Sequence, residues 1–86
     1  MRQNYIKLKQ NNHMTNHEFE LKTEYIELIK LLKAVGIADT GGTAKAIVQA
    51  GDVKVNNVVE HRLRCKLYAD YLVELGGVSI KILAAL

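Results

Sequence analysis

The chain has 86 residues, 49% of them hydrophobic, and a formal net charge of +3; a domain of this size buries only about 60% of the surface its unfolded chain exposes, so the apolar positions must serve a single core. No run of 18 apolar residues is present, which excludes a membrane-spanning helix, and Arg2 is followed by no apolar block of the kind a secretory signal needs. A lone cysteine, Cys65, excludes an intrachain disulfide and fits a reducing cytoplasm.

Met1 to Asn16 is rich in Asn, Gln and His and has no sustained hydrophobic period, so residues 1–17 are predicted to form a flexible tail. Tyr5, Ile6 and Leu8 are its only material for a brief strand. Met14 stands just ahead of the patterned region, and one reading makes it the natural start, with the residues before it an upstream extension. His13 and His17 have the four-residue spacing that joins two metal ligands on a helix, but no helical pattern or third ligand accompanies them. They read as ordinary polar residues, and no metal site is predicted.

Residues 18–86 are predicted to form one domain. Phe19 and Leu21 alternate with Glu18, Glu20 and Lys22, the two-residue period of a strand with one apolar face. Thr23 then offers a helix cap, with Glu24 and Glu27 at the positive end of the dipole, and the helix is expected to run to about Val35 and stop at Gly36. Its polar positions, Glu24, Glu27, Lys30 and Lys33, recur every three residues, leaving a wide apolar surface. Lys33 near its end suits either the helix dipole or a phosphate contact.

Ile37 to Asp39 forms a joint leading to Thr40, a second helix cap, after which Ala44, Ile47 and Val48 share one face and Gly51 ends the helix. The pair Gly41-Gly42 bares amides at a helix start, but the Walker lysine spacing is missing and no nucleotide loop is predicted. A helix-turn-helix DNA reader needs base-reaching side chains at this helix start, and Gly41, Gly42, Thr43 and Ala44 offer almost none.

Val53 and Val55 alternate with Lys54, and Asn56-Asn57 suits the positive φ angles of a tight hairpin turn. From Leu63 to Leu67 a strand period would turn Leu63, Cys65 and Leu67 one way and Arg62, Arg64 and Lys66 the other. Cys65 then reads as a small buried apolar residue. Cations spaced about 6 to 7 Å apart along one strand face repel each other, a repulsion that an anionic partner would remove. Beyond a bend at Asp70, Tyr71, Val73 and Leu75 share a face, Gly76-Gly77 makes a turn, and Val78, Ile80 and Ile82 point inward with Ser79 and Lys81 outside. Tyr68 and Tyr71 suit a core edge, or stacking on bases. The elements together give an α+β fold: two packed helices followed by a small, mostly antiparallel sheet, with a short N-terminal strand.

The run of Ala44-Lys45, Gly51, Val53, Val55-Asn56, Glu60, Arg62 and Cys65-Lys66-Leu67 resembles the ribosomal-protein-S-four-type RNA-binding domain, or alpha-L motif, in its small stand-alone bacterial members. The resemblance reaches back through Tyr25-Ile26-Glu27-Leu28 and Leu31-Leu32-Lys33 and forward through Gly77, covering about Phe19 to Leu83. Many such domains carry an arginine where this chain has Gly41; the stand-alone members carry the glycine pair. The resemblance implies that the RNA is structured, such as ribosomal or transfer RNA, and that ribosome association is in reach.

Charge distribution supports the same class. The tail carries Arg2, Lys7 and Lys9 without an acid, whereas residues 28–66 hold seven cations against Asp39, Asp52 and Glu60. The predicted RNA-binding face comprises Lys33, Lys45, Lys54, Asn56, Arg62, Arg64 and Lys66, with lysines as point charges, arginines as two-bond phosphate ligands, and Asn56 more suited to shaping its turn. Few groups in it reach base edges, so RNA shape should matter more than sequence. The three histidines lack a nucleophile partner, so the chain reads as non-catalytic, with no cofactor, small-molecule substrate or membrane partner. A protein-interaction adaptor using the same basic face and a small DNA-binding regulator are the alternatives.

Overall fold

The computed structural model describes residues 15–86. The expectations placed on Tyr5, Ile6, Leu8, His13 and Met14 lie outside the described residues. The elements are β1 (Thr15–Glu20), β2 (Ile26–Glu27), α1 (Leu28–Ala34), α2 (Gly41–Gln49), β3 (Val53–Val55), β4 (Val58–Val59), β5 (Lys66–Leu67), β6 (Leu72–Leu75) and β7 (Val78–Leu83). They form a five-stranded sheet in the order β1-β7-β6-β3-β4 and a separate two-stranded ribbon of β2 with β5. Among the described residues only β1 and β7 pair in parallel; the other pairs are antiparallel. Among the described residues no helix is long and apolar enough to cross a membrane.

The helices form where the apolar spacing requires. Leu28, Leu31 and Leu32 of α1 are fully buried at the i, i+3, i+4 spacing, and they meet Ala44 and Val48 of α2 in one cluster with Val53, Leu67, Val73, Ile80 and Ile82. Thr40 caps α2 as predicted: its Oγ1 accepts a 3.1 Å hydrogen bond from the Thr43 amide. Gly36 and Gly51, just past the two helices, both have φ of +82°, the left-handed geometry that favours glycine at a helix stop.

Turn chemistry sets the sheet register. Asn56 and Asn57 have φ of 51° and 71°, both positive, as the tight β3–β4 hairpin demands. The Asn56 amide donates to the Leu72 carbonyl at 2.8 Å, and the Asn56 Oδ1 accepts from the Leu72 amide at 2.9 Å. This clip fastens the hairpin tip to the start of β6. Asp70, at φ 74°, makes the bend before β6 and donates its amide to Ile82.

Three local expectations are corrected. The first helix begins at Leu28, not after Thr23, whose hydroxyl instead donates to the Tyr25 carbonyl. Ile26 and Glu27 extend to pair with Leu67 and Lys66. The first amides of α1 then donate to the Cys65 and Leu63 carbonyls, both at 2.9 Å, so main chain from a distant turn does the work of a side-chain cap. Second, the first strand takes in Thr15, Asn16 and His17, which the hydrophobic pattern had assigned to the tail. Pairing with β7 uses only backbone groups, and Thr15 joins it through its amide to Gly77, so exposed polar side chains are compatible with it. Third, Leu63-Arg64 is a turn, closed by the Cys65 amide on the Arg62 carbonyl at 3.3 Å, and only Lys66–Leu67 is strand. The predicted alternation survives in burial: Cys65 and Leu67 are buried and Leu63 half-buried, while Arg62, Arg64 and Lys66 are exposed.

Candidate nucleic-acid interface

The turn at residues 62–65 brings the densest group of predicted contacts together. Arg62, Arg64 and Lys66 line one open depression of about 600 Å³ with Glu60, Cys65, Val55, Tyr68 and Tyr71. Leu63, Cys65 and Leu67 anchor the segment to the core, which fixes the side from which the three cations emerge.

Both arginines are ion-paired, each through Nε to a carboxylate. Arg62 donates Nε to Glu60 Oε2 and Nη2 to Glu60 Oε1, each at 2.9 Å, and its amide also donates to Oε2 at 2.8 Å. Arg64 donates Nε to Glu27 Oε2 at 3.1 Å, bringing in an acid from β2. The carboxylates are the covered partners: the Glu60 and Glu27 side chains are 15% and 16% exposed, against 77% and 80% for Arg62 and Arg64. The bidentate Arg62 pair lowers the Glu60 carboxyl to about 2 and raises the Arg62 guanidinium, so both stay ionised at any physiological pH.

Lys66 is held differently. Its Nζ lies 4.8 Å from the centroid of the Tyr25 ring, within cation–π range. Tyr25, Tyr68 and Tyr71 form a chain of rings, with centroids 5.8 Å apart at each step. Tyr68, 37% exposed, is the most open large aromatic of the described residues. Cys65 is buried, and desolvation pushes its thiol up, away from the reactive thiolate.

The remaining predicted contacts stand apart from the depression. Lys33 is exposed in the last turn of α1 and Lys45 is exposed on α2. Lys54 projects from β3 with Glu74 directly across in the register, so an acid moderates its charge. Asn56 uses its carbonyl oxygen on Leu72 within the fold. Sequence reasoning did not foresee Tyr25 as a partner of Lys66 or Glu27 as a partner of Arg64. Glu60 had a signal, because residues two apart on an extended chain share a side. Among the described residues no three His, Cys, Asp or Glu side chains gather as a metal site.

The chain is similar to known proteins over most of its length. Residues 19–83 match the model of the S4 domain. YbcJ of Escherichia coli (strain K12) is 40% identical over 63 residues, covering 73% of this chain and 90% of that protein, and YbcJ of Shigella flexneri gives the same figures. The solution structure of YbcJ from E. coli, described as revealing an alfaL motif involved in RNA-binding, matches with a TM-score of 0.60 and 33% identity, covering 91% of this chain and 98% of that one. With a family match over residues 19–83 and a solved structure matched over 91% of its length, the chain belongs to the S4 domain family.

Proposed function

We propose that this chain is a non-catalytic, cytoplasmic RNA-binding domain that grips structured RNA, ribosomal or transfer RNA in the first instance, through the depression formed by Arg62, Arg64 and Lys66. The observation that carries the reading is the outward presentation of two guanidinium groups and one ammonium around a single concavity. Arg62, whose Nη2 is taken by Glu60 and Cys65, offers Nη1 to a phosphate, Arg64, engaged through Nε, offers its Nη donors, and Lys66 adds a point charge. Lys33, Lys45 and Lys54 act as flanking phosphate contacts, and Asn56 fixes the hairpin that carries Lys54. The description of YbcJ as RNA-binding supports the assignment.

The test is binding of a fluorescent RNA hairpin across a salt series, for the natural protein and for a variant carrying Arg62→Gln, Arg64→Gln and Lys66→Gln. Phosphate contacts displace counterions, so log affinity falls with log salt by about 0.7 to 0.9 per contact. Loss of three contacts should flatten the slope by roughly 2 to 3. A slope already flat in the natural protein, or unchanged in the variant, refutes the interface. Duplex DNA outcompeting the hairpin would favour a DNA-binding regulator, and an acidic protein partner retained after nuclease treatment would favour an adaptor.

A further inference from the structure

We infer that Glu60 and Glu27 are selectivity residues of this interface: they mask the long-range charge of Arg62 and Arg64 while aiming the guanidinium groups outward, so that only an anion of matching geometry gains from them. The inference rests on the RNA-binding reading and names what that surface rejects.

An Nε contact to a covered carboxylate occurs twice, bidentate at Arg62 and single at Arg64, and is built from unrelated parts of the chain. Glu60 precedes its arginine by two residues, whereas Glu27 comes from β2 and meets an arginine 37 residues away. In each case the carboxylate takes Nε, and in each case it is the carboxylate that is covered. A polyanion that has come within a Debye length of about 10 Å, but not yet to hydrogen-bond distance, meets a nearly neutral pair at each arginine. A phosphate or base edge seated at hydrogen-bond distance instead meets Nη1 of Arg62 and the Nη donors of Arg64, whose attraction is short-ranged and directional. Glu60 stays charged to about pH 2, so proton uptake does not relieve its masking when an anion approaches. The cost is weaker overall attraction; the gain is discrimination against flexible or diffuse polyanions.

The experiment measures heparin and a fluorescent RNA hairpin side by side, for the natural protein, Glu60→Gln, Glu27→Gln and Glu60→Asp. Glu18→Gln serves as control, because it removes the same charge from an exposed position on β1. Unmasking one cation should steepen the heparin salt slope by about 0.7 and tighten heparin roughly five-fold at 0.1 M salt, taking the single-strand value per contact. Hairpin affinity should gain less, so the hairpin-to-heparin preference falls in both glutamine variants. Glu60→Asp keeps the charge but shortens the reach, so it should leave heparin binding weak while lowering hairpin affinity. The inference is overturned if Glu18→Gln raises heparin binding as much as the other two glutamine variants, or if the preference is unchanged in both of those. Because the two acids lie on separate elements, misfolding of one variant leaves the other to decide. A natural protein that binds no hairpin, with heparin still responding to the two glutamine variants, would refute the RNA reading separately from the masking.

Discussion

Asn56 offers a sharp test of how the hairpin is held, because two energetic contributions meet there and substitutions separate them. Its φ of 51° is left-handed, a region that costs a residue with a Cβ about 1 to 2 kcal/mol and that asparagine tolerates better than alanine. Its Oδ1 also accepts the Leu72 amide at 2.9 Å, a bond with a net contribution of about 1 kcal/mol. Asn56→Ala loses the bond and meets the full backbone cost, so it should destabilise by roughly 2 to 3 kcal/mol. Asn56→Gly loses the bond but keeps the geometry, and should cost about 1 kcal/mol. Asn56→Asp keeps both the acceptor and the tolerance and should fall within about 0.5 kcal/mol of the natural protein.

Thermal unfolding followed by circular dichroism measures the series, and in a domain this small each kcal/mol moves Tm by about 4 to 8 °C. The expected order of stability is natural protein near Asn56→Asp, then Asn56→Gly, then Asn56→Ala. Glycine costing more than alanine would refute the backbone argument, and aspartate costing as much as glycine would refute the clip to Leu72. Hairpin-RNA affinity of the folded Asn56→Gly protein should match that of the natural protein, since the side chain acts within the fold.

Two further outcomes follow from the ionisable groups. Glu60 has its folded pKa lowered to about 2 from an ordinary 4.5 by the Arg62 hydrogen bonds, so its stabilising contribution is complete above pH 4.5 and is lost as pH falls toward 2. Acid unfolding of Glu60→Gln should therefore be less steep than that of the natural protein between these limits, and parallel curves would refute the pairing. Cys65 is buried and its thiol is pushed up by desolvation, so iodoacetamide at pH 8 should label the native protein many times more slowly than the urea-unfolded chain; equal rates would contradict the packed turn.

Much of the fold is local enough to be read from the residues. The spacing of Leu28, Leu31 and Leu32, the alternation of Val53 with Val55 and of Ile80 with Ile82, and the asparagine pair all act within a few positions of themselves. The start of α1 was not legible in this way. Thr23 and Glu24 carry a good local cap signal, and it loses to the pairing of Ile26–Glu27 with Lys66–Leu67, which satisfies main-chain groups far apart in sequence. The parallel pairing of β1 with β7 is equally hidden, because it joins the two ends of the described chain through backbone alone.

The interface divides along the same line. Which side Arg62, Arg64 and Lys66 take follows from the apolar residues between them, and that inference held even where the strand proved to be a turn. What the pattern lacked was the electrostatic state of those cations. A row of three positive side chains suggests strong mutual repulsion awaiting an anion, yet two of the three already have carboxylate partners. One partner lies within the local repeat and the other arrives from β2, a placement only the tertiary fold creates. In the proposed interface, attraction would be shaped as much by acids that composition counts against RNA binding as by the bases that suggest it. For a domain whose described residues carry equal numbers of basic and acidic side chains, net charge is the wrong predictor of nucleic-acid affinity. The covered position of the carboxylates beside exposed guanidinium groups is a feature that total charge does not register.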